Sequence, residues 1–469
     1  MGLTAIPPFR RRRREAPLST ELLAPLDLAF WHLESEAHPM HLGALAVFDP
    51  VPGVAPDDLL ELLGARAAAI PRLRMRVRDV LLPVGGAAWF TDKDFDVHRH
   101  VRRVVLPEGD FMAEAARLAG ELMERPLGRG LPPWQMYLLG SPGDGPFAVL
   151  VKLHHALADG MRAVAIGAGI FDQIASAGAG RGTVRRRPPV PPRSWLPGPY
   201  EAASMAMGRL GEVGRALGVG ASVVRASRLD LRATTALTAR SSGTRRLATA
   251  ELDAEAVQRI RRTEGGTSND VLLALVAGAL RRWMLERGDP LPGADPRALV
   301  PVSRRRPGGA ATGNRLSAYL LGLPVTEPDA RERLRLVRTG MDRNKSAGPL
   351  RGAGAVAVLA DQLPALAHRF GAPLAGSAAR MLFDVLVTSV PLPRSALSLG
   401  GCPLRAVFPM APLARGQSLA VALSTYGGRV QVGLVADGKA LPDLDRLASA
   451  VGEELHDLHA LVPTVPAPA

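Results

Sequence analysis

Two adjacent histidines at the end of an apolar segment are the residues of this chain best placed for acid–base chemistry. Phe147–Leu153 is a short apolar run that predicts a buried strand, and His154 and His155 follow it directly. Successive side chains of a strand point to opposite faces, so we expect one histidine to face a cleft and the other to pack behind it. An imidazole with its ordinary pKa of about 6.5 is mostly neutral at cytoplasmic pH, which makes the histidine facing the cleft a candidate general base.

Asp159 and Gly160 complete a string that reads H-H-x-x-x-D-G. Asp159 could orient the base, or it could pair with an arginine and hold the loop. Gly160 would give the backbone freedom to turn and would let a substrate approach closely. A bare histidine pair can simply cap a strand and hydrogen-bond its backbone. The full string at the mouth of an apolar strand favours a catalytic site.

The sequence contains no complete motif of the common hydrolase, zinc-binding or nucleotide-binding types. The chain has no G-x-S-x-G, H-E-x-x-H or G-x-G-x-x-G string. Residues Gly433–Lys439 fit the start of a phosphate-binding loop, but Ala440 replaces the required hydroxyl and Pro442 follows where a helix should begin. The sequence therefore predicts neither a serine hydrolase nor a nucleotide-binding loop.

Metal and thiol chemistry are poorly supported. Glu453, His456 and His459 could hold a metal from one helical face, but the polar outer face of the last helix is the better explanation. Cys402 is the only cysteine, which excludes an intrachain disulfide. Glycine and proline flank it and no histidine is near in sequence, so we expect a small apolar filler. We predict no metal.

The net charge is high, but its composition argues against a nucleic-acid-binding protein. The formal charge is +14, from 58 basic and 44 acidic residues, which can indicate a polyanion or an anionic membrane as partner. Only four of the basic residues are lysines, and aromatic residues make up 4% of the chain. The enrichment in arginine, alanine, glycine and proline is typical of a GC-rich genome. The one dense block, Arg10–Arg14, lies in a Pro-flanked tail that we expect to be solvated, with a tether to lipid headgroups or to a polyanion as the alternative.

No segment resembles a membrane-spanning helix or the apolar core of a signal peptide. The residues that follow the basic block already include Glu15, Glu21 and Asp27. We therefore predict a cytoplasmic protein.

Short strands mix with helices along the chain, which predicts an α/β protein of the α+β type. Composition divides it into a basic tail (1–16), a first lobe (17–176), a Pro- and Arg-rich linker with helical segments (177–244) and a second lobe (245–469). The predicted strands are Gly43–Phe48, Phe147–Leu153, Arg246–Leu252, Ala298–Val302, Arg315–Val325, Asp384–Ser389, Leu419–Thr425 and Val430–Val435. The predicted helices are Asp57–Ala69, Met112–Met123, Ser268–Glu286 and Asp443–Leu461. Asp58 or Asp110 can cap the first two helices, and a cleft between the lobes is the expected place for a site.

The chain resembles a known family in these segments. His154–Gly160 matches the H-H-x-x-x-D-G motif of the chloramphenicol acetyltransferase-like superfamily, which peptide-synthetase condensation domains share. Further matches narrow the resemblance to the bacterial wax ester synthase/acyl-CoA:diacylglycerol acyltransferases. They are Pro25-Leu26-Asp27, His38–Gly43, Pro133-Trp134, Asn269-Asp270, Val302-Ser303, Gly313-Asn314 and Pro442–Asp445. The resemblance covers roughly residues 17–460 in order.

The resemblance implies two acyltransferase lobes joined by the linker, with the active site in a tunnel between them. It implies direct transfer of a long-chain fatty acyl group from acyl-CoA to an alcohol, with no acyl-enzyme and no cofactor. His155 is the implied base and Asp159 the structural partner of an arginine, while His154 and Gly160 complete the catalytic motif. The residues expected to bind substrate or shape the site are Pro133, Trp134, Asn269, Asp270, Gly313 and Asn314.

Two of these groups also have structural explanations. Trp134 lies on a strand before the motif strand and fits the core better than a ligand contact. Asn269 and Asp270 begin a predicted helix, so N-capping is an equal alternative to a direct part in the site.

The acceptor alcohol stays open between diacylglycerol and long-chain alcohols. The GC-rich composition suggests an actinobacterial source, where this family commonly makes triacylglycerol, and this favours diacylglycerol. Lipid substrates also imply peripheral contact with the inner face of a membrane or with lipid droplets.

The sequence departs from the family pattern at two places. Pro132-Pro133-Trp134 replaces the usual P-L-W, and Thr388–Pro391 reads T-S-V-P where T-N-V-P is common. The second departure removes an amide close to the expected cleft. Two alternatives are kept: an acyltransferase that uses a carrier-protein donor or a polyketide alcohol, and a non-catalytic lipid-binding member.

Overall fold

The computed structural model describes residues 21–141, 145–173, 235–303, 316–347 and 382–462. The basic tail, the predicted helical segments of the linker, and Gly313 with Asn314 lie outside these residues. In chain order the strands are β1 (Glu21–Leu22), β2 (His41–Phe48), β3 (Met75–Asp79), β4 (Ala87–Thr91), β5 (Val101–Val105), β6 (Trp134–Gly140), β7 (Phe147–His154), β8 (Asp172–Gln173), β9 (Arg245–Asp253), β10 (Arg297–Ser303), β11 (Leu316–Gly322), β12 (Val385–Pro391), β13 (Leu397–Leu399), β14 (Cys402–Met410), β15 (Leu419–Tyr426) and β16 (Arg429–Asp437). The helices are α1 (Pro25–Leu33), α2 (Pro56–Ala69), α3 (Phe111–Glu124), α4 (Gly160–Ile170), α5 (Ala254–Glu264), α6 (Ser268–Glu286), α7 (Ala330–Ala347) and α8 (Leu444–Ala460).

Two large mixed sheets and one small sheet organise these elements. The first sheet has the order β5-β6-β7-β2-β14-β13-β8, and the second has the order β11-β10-β12-β15-β16-β9. The small sheet has the order β1-β4-β3. Strands β5 and β6 are parallel, and β12 is parallel to both of its neighbours, whereas the other pairs are antiparallel. This confirms the predicted α+β fold with two lobes and mixed sheets.

Within the described residues, the predicted strands and helices fall on observed elements, with differences at their ends. The strand predicted over Arg315–Val325 ends at Gly322, where pairing with β10 stops at Arg297, and Pro324 has no N–H to continue the ladder. Asp110 caps α3 by accepting a hydrogen bond from the Ala113 N–H at 2.7 Å. The capping role predicted for Asp58 is wrong, because α2 begins at Pro56 and its first turn already contains Asp58.

The sheets do not follow the expected division into lobes at residue 245. Strands β13 and β14 come from the C-terminal part of the chain, yet they complete the first sheet. Phe48 of β2 pairs with Leu404 of β14, and β13 pairs onward with β8. The apolar faces of β14 explain this crossover, since one packs into the first lobe and the other against β15 and β16.

A layer of apolar side chains joins the two large sheets. It includes Leu45 and Leu150 of the first sheet, Phe408 of β14, and Ala422 and Val435 of the second. In the second lobe α6 is buried along most of its length, between the second sheet and helices α5, α7 and α8. Its nearly continuous apolar sequence is what a fully surrounded helix requires.

Gly433 allows β16 to approach β14 closely. A Cβ at this position would lie 2.0 Å from the Pro409 carbonyl oxygen. We expect Gly433→Ala to lower the free energy of unfolding by about 1–3 kcal/mol, because the sheets must move apart to admit the methyl group. Denaturant unfolding measures this. Gly140→Ala is the matched control, since no atom lies within 4 Å of its added Cβ, and equal stability losses in both variants would contradict the prediction.

Gly433, Cys402 and Glu453, to which the sequence analysis gave no chemical role, have structural contacts. Gly433 belongs to strand β16 rather than to a phosphate-binding loop. Cys402 is buried in the core of the first lobe. Glu453 accepts hydrogen bonds from Arg446, and no metal-holding group of acidic, histidine or cysteine side chains occurs among the described residues.

Candidate active site

Strand β7 holds the two histidines by backbone hydrogen bonds on both sides. The His154 N–H donates to the Pro133 carbonyl at 3.0 Å, next to β6, and the His155 N–H donates to the Met40 carbonyl at 2.8 Å, next to β2. The chain then turns, with the Leu157 N–H donating to the His154 carbonyl. The position of both rings is therefore fixed by the centre of the first sheet.

His155 faces a cavity between the two large sheets. Its ring stacks on Phe30 of α1, with ring centroids 4.0 Å apart. Burial lowers the pKa of His155 to about 4, although a contact with its own backbone and the charge of Asp159 act in the opposite direction. The imidazole is therefore neutral at physiological pH and can accept a proton.

His154 points the other way and is buried, as the strand geometry predicts. Its Nδ1 accepts a hydrogen bond from the Ala156 N–H at 3.0 Å, so its proton resides on Nε2. That atom lies 3.5 Å from Glu34 Oε1, and the same oxygen lies 3.2 Å from Nε2 of His41. His154 thus supports the motif through a buried glutamate–histidine cluster rather than by facing the cavity.

The surroundings strongly shift the pKa values of Glu34 and His41. Burial alone would raise the pKa of Glu34, but its contacts with His154 and His41 bring that pKa well below the usual range. Burial lowers the pKa of His41 to about 4. Lys152 lies on the same side of β7, fully buried, and its Nζ donates to the Leu122 carbonyl at 2.7 Å and to the Arg125 carbonyl at the end of α3. Burial lowers the pKa of Lys152 to about 7.

Sequence reasoning missed four residues of this arrangement. Glu34 and Phe30 follow Asp27 at helical spacing, and this spacing was the available signal. His41 lay within a matched segment but carried no assigned role. Lys152 was treated as part of an apolar strand. Nothing in its sequence context indicates that carbonyl groups of α3 accept hydrogen bonds from its ammonium group.

Asp159 and Gly160 begin helix α4. Asp159 is buried and caps α4 by accepting a hydrogen bond from the Arg162 N–H at 2.8 Å, so it shapes the loop. Its salt bridge with an arginine stays a prediction. The expected backbone freedom of Gly160 is wrong, because the residue lies in the first turn of α4 and has no positive φ. A Cβ there would lie 3.6 Å from Val390 of the second sheet, so Gly160 does sit where the lobes face each other.

The cavity is apolar and extends from His155 between α4 and both large sheets. Its empty space, counted out to the open mouth, is about 1270 Å³. Residues of β2, β7, β14 and α4 line one side, and residues of β10, β12 and β15 line the other. Among the described residues of the lining, His155 is the only titratable one, and Thr388 and Ser424 are the only others with polar side chains. Such a space suits long hydrocarbon chains.

Four other predicted site residues within the described part of the chain do not line the cavity, namely Pro133, Trp134, Asn269 and Asp270. Trp134 is fully buried and donates from Nε1 to the Leu73 carbonyl, so its core placement is confirmed. Pro133 holds His154 through its carbonyl group. The N-cap of α6 is Thr267, and its N–H donates to Asp270 Oδ2 at 2.8 Å in a capping box. The capping explanation therefore accounts for Asp270.

Asn269 connects α6 to β12. Its Oδ1 accepts a hydrogen bond from Ser389 Oγ at 2.8 Å. Thr388 and Val390 on either side of Ser389 line the cavity. The serine that departs from the family pattern therefore retains a polar contact at this strand end.

Acid should destabilise the fold through its buried histidines. An unfolded histidine titrates at about 6.5, and burial lowers the folded pKa of His38, His41, His100 and His155. The unfolded chain then binds more protons, so stability is full above pH 6.5 and is lost as the pH falls toward the folded values. For His41 this is about 1.4 kcal/mol per pH unit.

Urea midpoints at pH 7.5 and 5.5 measure this dependence. We expect the His41→Gln variant to lose less stability than the wild type between the two pH values. Glu34 contributes in the same direction only below about pH 4.3, where an unfolded glutamate takes up its proton. An unchanged pH dependence in His41→Gln would contradict the assignment.

Comparison with known proteins identifies the family of this chain. The wax ester synthase/diacylglycerol acyltransferase catalytic domain matches residues 23–272, and the C-terminal domain of the same family matches residues 312–459. A probable diacylglycerol O-acyltransferase of Mycobacterium tuberculosis, tgs2, is 30% identical over 457 residues, which cover 94% of this chain and 99% of the relative. A second one, tgs1, is 30% identical over 459 residues and covers 94% and 96%.

Solved structures show the same fold. The wax ester synthase/diacylglycerol acyltransferase from Marinobacter aquaeolei VT8 has a TM-score of 0.69 at 22% identity, covering 94% of this chain and 99% of that one. A trichothecene 15-O-acetyltransferase from Fusarium sporotrichioides has a TM-score of 0.61 at 12% identity, covering 94% and 95%. No helix among the described residues is long and apolar enough to cross a membrane. The matches along both halves of the sequence show that the chain is an acyltransferase that belongs to the wax ester synthase/diacylglycerol acyltransferase family.

Proposed function

We propose that this protein transfers a long-chain fatty acyl group from acyl-CoA to the hydroxyl of diacylglycerol, with His155 as the general base. The observation that carries the proposal is the position of His155, the one titratable side chain among the described residues that line an apolar cavity between the sheets. The names of the mycobacterial relatives support diacylglycerol as acceptor. Long-chain alcohols, which would give wax esters, are the second acceptor class.

The low pKa of His155 determines how the proton moves. An alcohol resembles water, whose pKa is about 15.7, so a free alkoxide formed by a base of pKa about 4 would cost roughly 16 kcal/mol. Proton removal must therefore accompany the attack of the hydroxyl oxygen on the thioester carbonyl carbon. The imidazolium is a strong acid in this site and returns its proton to the departing thiolate.

The balance of bonds needs no covalent enzyme intermediate. The new ester C–O bond forms as the hydroxyl O–H bond breaks, and the C–S bond of the tetrahedral intermediate then breaks to release coenzyme A as its thiol. The glutamate–histidine cluster behind β7 keeps His154 from competing for this proton, because it holds that ring on the opposite face. The apolar cavity also excludes water that would hydrolyse the thioester.

Release of coenzyme A thiol from palmitoyl-CoA tests the proposal. Release should require 1,2-diacylglycerol or hexadecanol, and the ratio of the two rates ranks the acceptors. A reaction without acceptor measures hydrolysis. Folded protein that releases no thiol with either alcohol would contradict the proposal and favour a carrier-protein donor or a non-catalytic lipid-binding role.

A further inference from the structure

The wall of the cavity that the second sheet forms carries two hydroxyl groups on neighbouring strands. Thr388 lies on β12 and Ser424 on β15, and both line the cavity. The two strands are parallel, with Thr388 opposite Ala422 and Val390 opposite Ser424. The other described residues of this wall are apolar. A hydroxyl group in such surroundings is costly unless it has a hydrogen-bond partner, so the partner of each hydroxyl indicates its role.

The alternation of side chains along β12 fixes the direction of Thr388. Leu386, Thr388 and Val390 share the face of the strand that lines the cavity. Val385 and Val387 belong to the opposite face, which packs into the core of the second lobe. Successive side chains of a strand point to opposite faces. The side chain of Thr388 therefore points into the cavity, where a bound molecule can contact it.

The two hydroxyls differ in their hydrogen bonds. Ser424 is buried, and its Oγ donates a hydrogen bond to the Val407 carbonyl at 2.8 Å. A hydroxyl has a single proton to donate, so Ser424 has none left for a ligand. The Thr388 hydroxyl has no hydrogen-bond partner among the described residues. Within the described part of this wall, Thr388 is therefore the side chain that can donate a hydrogen bond to a bound molecule.

Thr388 lies a short distance along the wall from the histidine motif. A Cβ on Gly160, the last residue of that motif, would lie 3.6 Å from Val390. Thr388 precedes Val390 by two residues on the same strand face, and two residues of a strand span about 7 Å. A ligand atom at Thr388 is thus a few bonds away from an atom at the motif. The ester carbonyl oxygens of a 1,2-diacylglycerol have this separation from its free hydroxyl.

We propose that Thr388 is a specificity residue whose Oγ1 donates a hydrogen bond to an ester carbonyl of the diacylglycerol acceptor. The inference rests on the proposed function, since it needs an acceptor bound with its free hydroxyl at His155. An ester carbonyl loses its hydrogen bonds to water when it enters an apolar cavity, and a donor in the wall replaces them. A fatty alcohol has no such carbonyl, so the contact favours glycerides over simple alcohols.

Acceptors with and without ester carbonyls test the contact. They are 1,2-dipalmitoylglycerol, its diether analogue 1,2-di-O-hexadecylglycerol, and hexadecanol. Coenzyme A thiol release from palmitoyl-CoA is measured with each acceptor for wild type, Thr388→Val and Thr388→Ser. Valine keeps the shape of threonine without the hydroxyl, whereas serine keeps the hydroxyl. Thr425→Val is the matched control, because Thr425 is exposed on β15 and does not line the cavity. Thermal melting confirms that each variant is folded.

In Thr388→Val we expect kcat/KM for the diester to fall about five- to fiftyfold, the loss for a buried acceptor group without its donor. The diether and hexadecanol should react as with the wild type, and Thr388→Ser should keep the preference for the diester. Equal losses with all three acceptors, an unchanged diester rate or the same loss in Thr425→Val would overturn the proposal. So would a wild type that uses diester and diether equally, although His155 would remain the base. Absence of thiol release with every acceptor would overturn the proposed function and this contact together.

Discussion

His155→Ala should lower the rate of acyl transfer by about 10²- to 10⁴-fold, the range that a positioned general base contributes. His155 is the only titratable side chain among the described residues lining the cavity, so no neighbour can take its place. Its ring lies at the cavity wall against Phe30 and outside the buried glutamate–histidine cluster. Coenzyme A thiol release from palmitoyl-CoA with diacylglycerol measures the loss.

An exposed histidine provides the matched control for this variant. His98 lies on the surface of the first lobe, and His98→Ala should retain wild-type turnover. A His155→Ala protein that melts at the wild-type temperature and keeps more than about a tenth of the activity would exclude His155 as the base. His154→Ala should instead lower the melting temperature, because it leaves the buried carboxylate of Glu34 with one histidine fewer.

Filling the cavity from α4 should change chain-length selectivity strongly. Ala163 lies on the face of α4 that lines the cavity, together with Gly160 and Gly167. In Ala163→Phe the ring occupies space that two or three methylene groups would use, and each is worth about 0.8 kcal/mol. We expect kcat/KM for palmitoyl-CoA, or for a long-chain acceptor, to fall about ten- to fiftyfold while butyryl-CoA or a short alcohol reacts as before.

The ratio between long and short substrates makes this test independent of protein stability. Ala165 lies on the exposed side of the same helix and does not line the cavity, so Ala165→Phe should leave the ratio unchanged. Measuring acyl-CoA and alcohol series separately shows which chain occupies the α4 side. An unchanged ratio in both series for Ala163→Phe would mean that the cavity does not hold a substrate chain.

Local patterns in the sequence predicted most of what positions His155. The apolar run before His154 predicted β7, and strand alternation predicted that the two histidines face opposite ways. Both the strand and the opposite orientation of the histidines depend on residues adjacent in sequence, so a local sequence pattern is enough to predict them. The family resemblance added the tunnel between two lobes, and the cavity at His155 agrees with it.

Contacts between distant segments could not be predicted in this way. The charge of Glu34 matters because α1 folds back beside β2 and β7, and no local pattern of α1 indicates a histidine partner. Gly160 was assigned a turn because glycine often permits one, but it lies in the first turn of α4 and faces Val390 of the second sheet. The position of β14 in the first sheet likewise depends on what packs against each of its two faces. The sequence alone does not indicate these partners.

The position of β14 in the first sheet has a consequence for folding during synthesis on the ribosome. Strand β2 leaves the exit tunnel early. Its partner β14 is synthesised only after most of the second lobe, because Leu404, which pairs with Phe48, lies far along the chain. Until then β2 has an open edge, which is a template for pairing with other chains, and contacts so distant in sequence form slowly. β14 also contributes to the wall of the cavity, so the cavity is incomplete until β14 has been synthesised. Production of the enzyme should therefore depend on protection of that edge during synthesis.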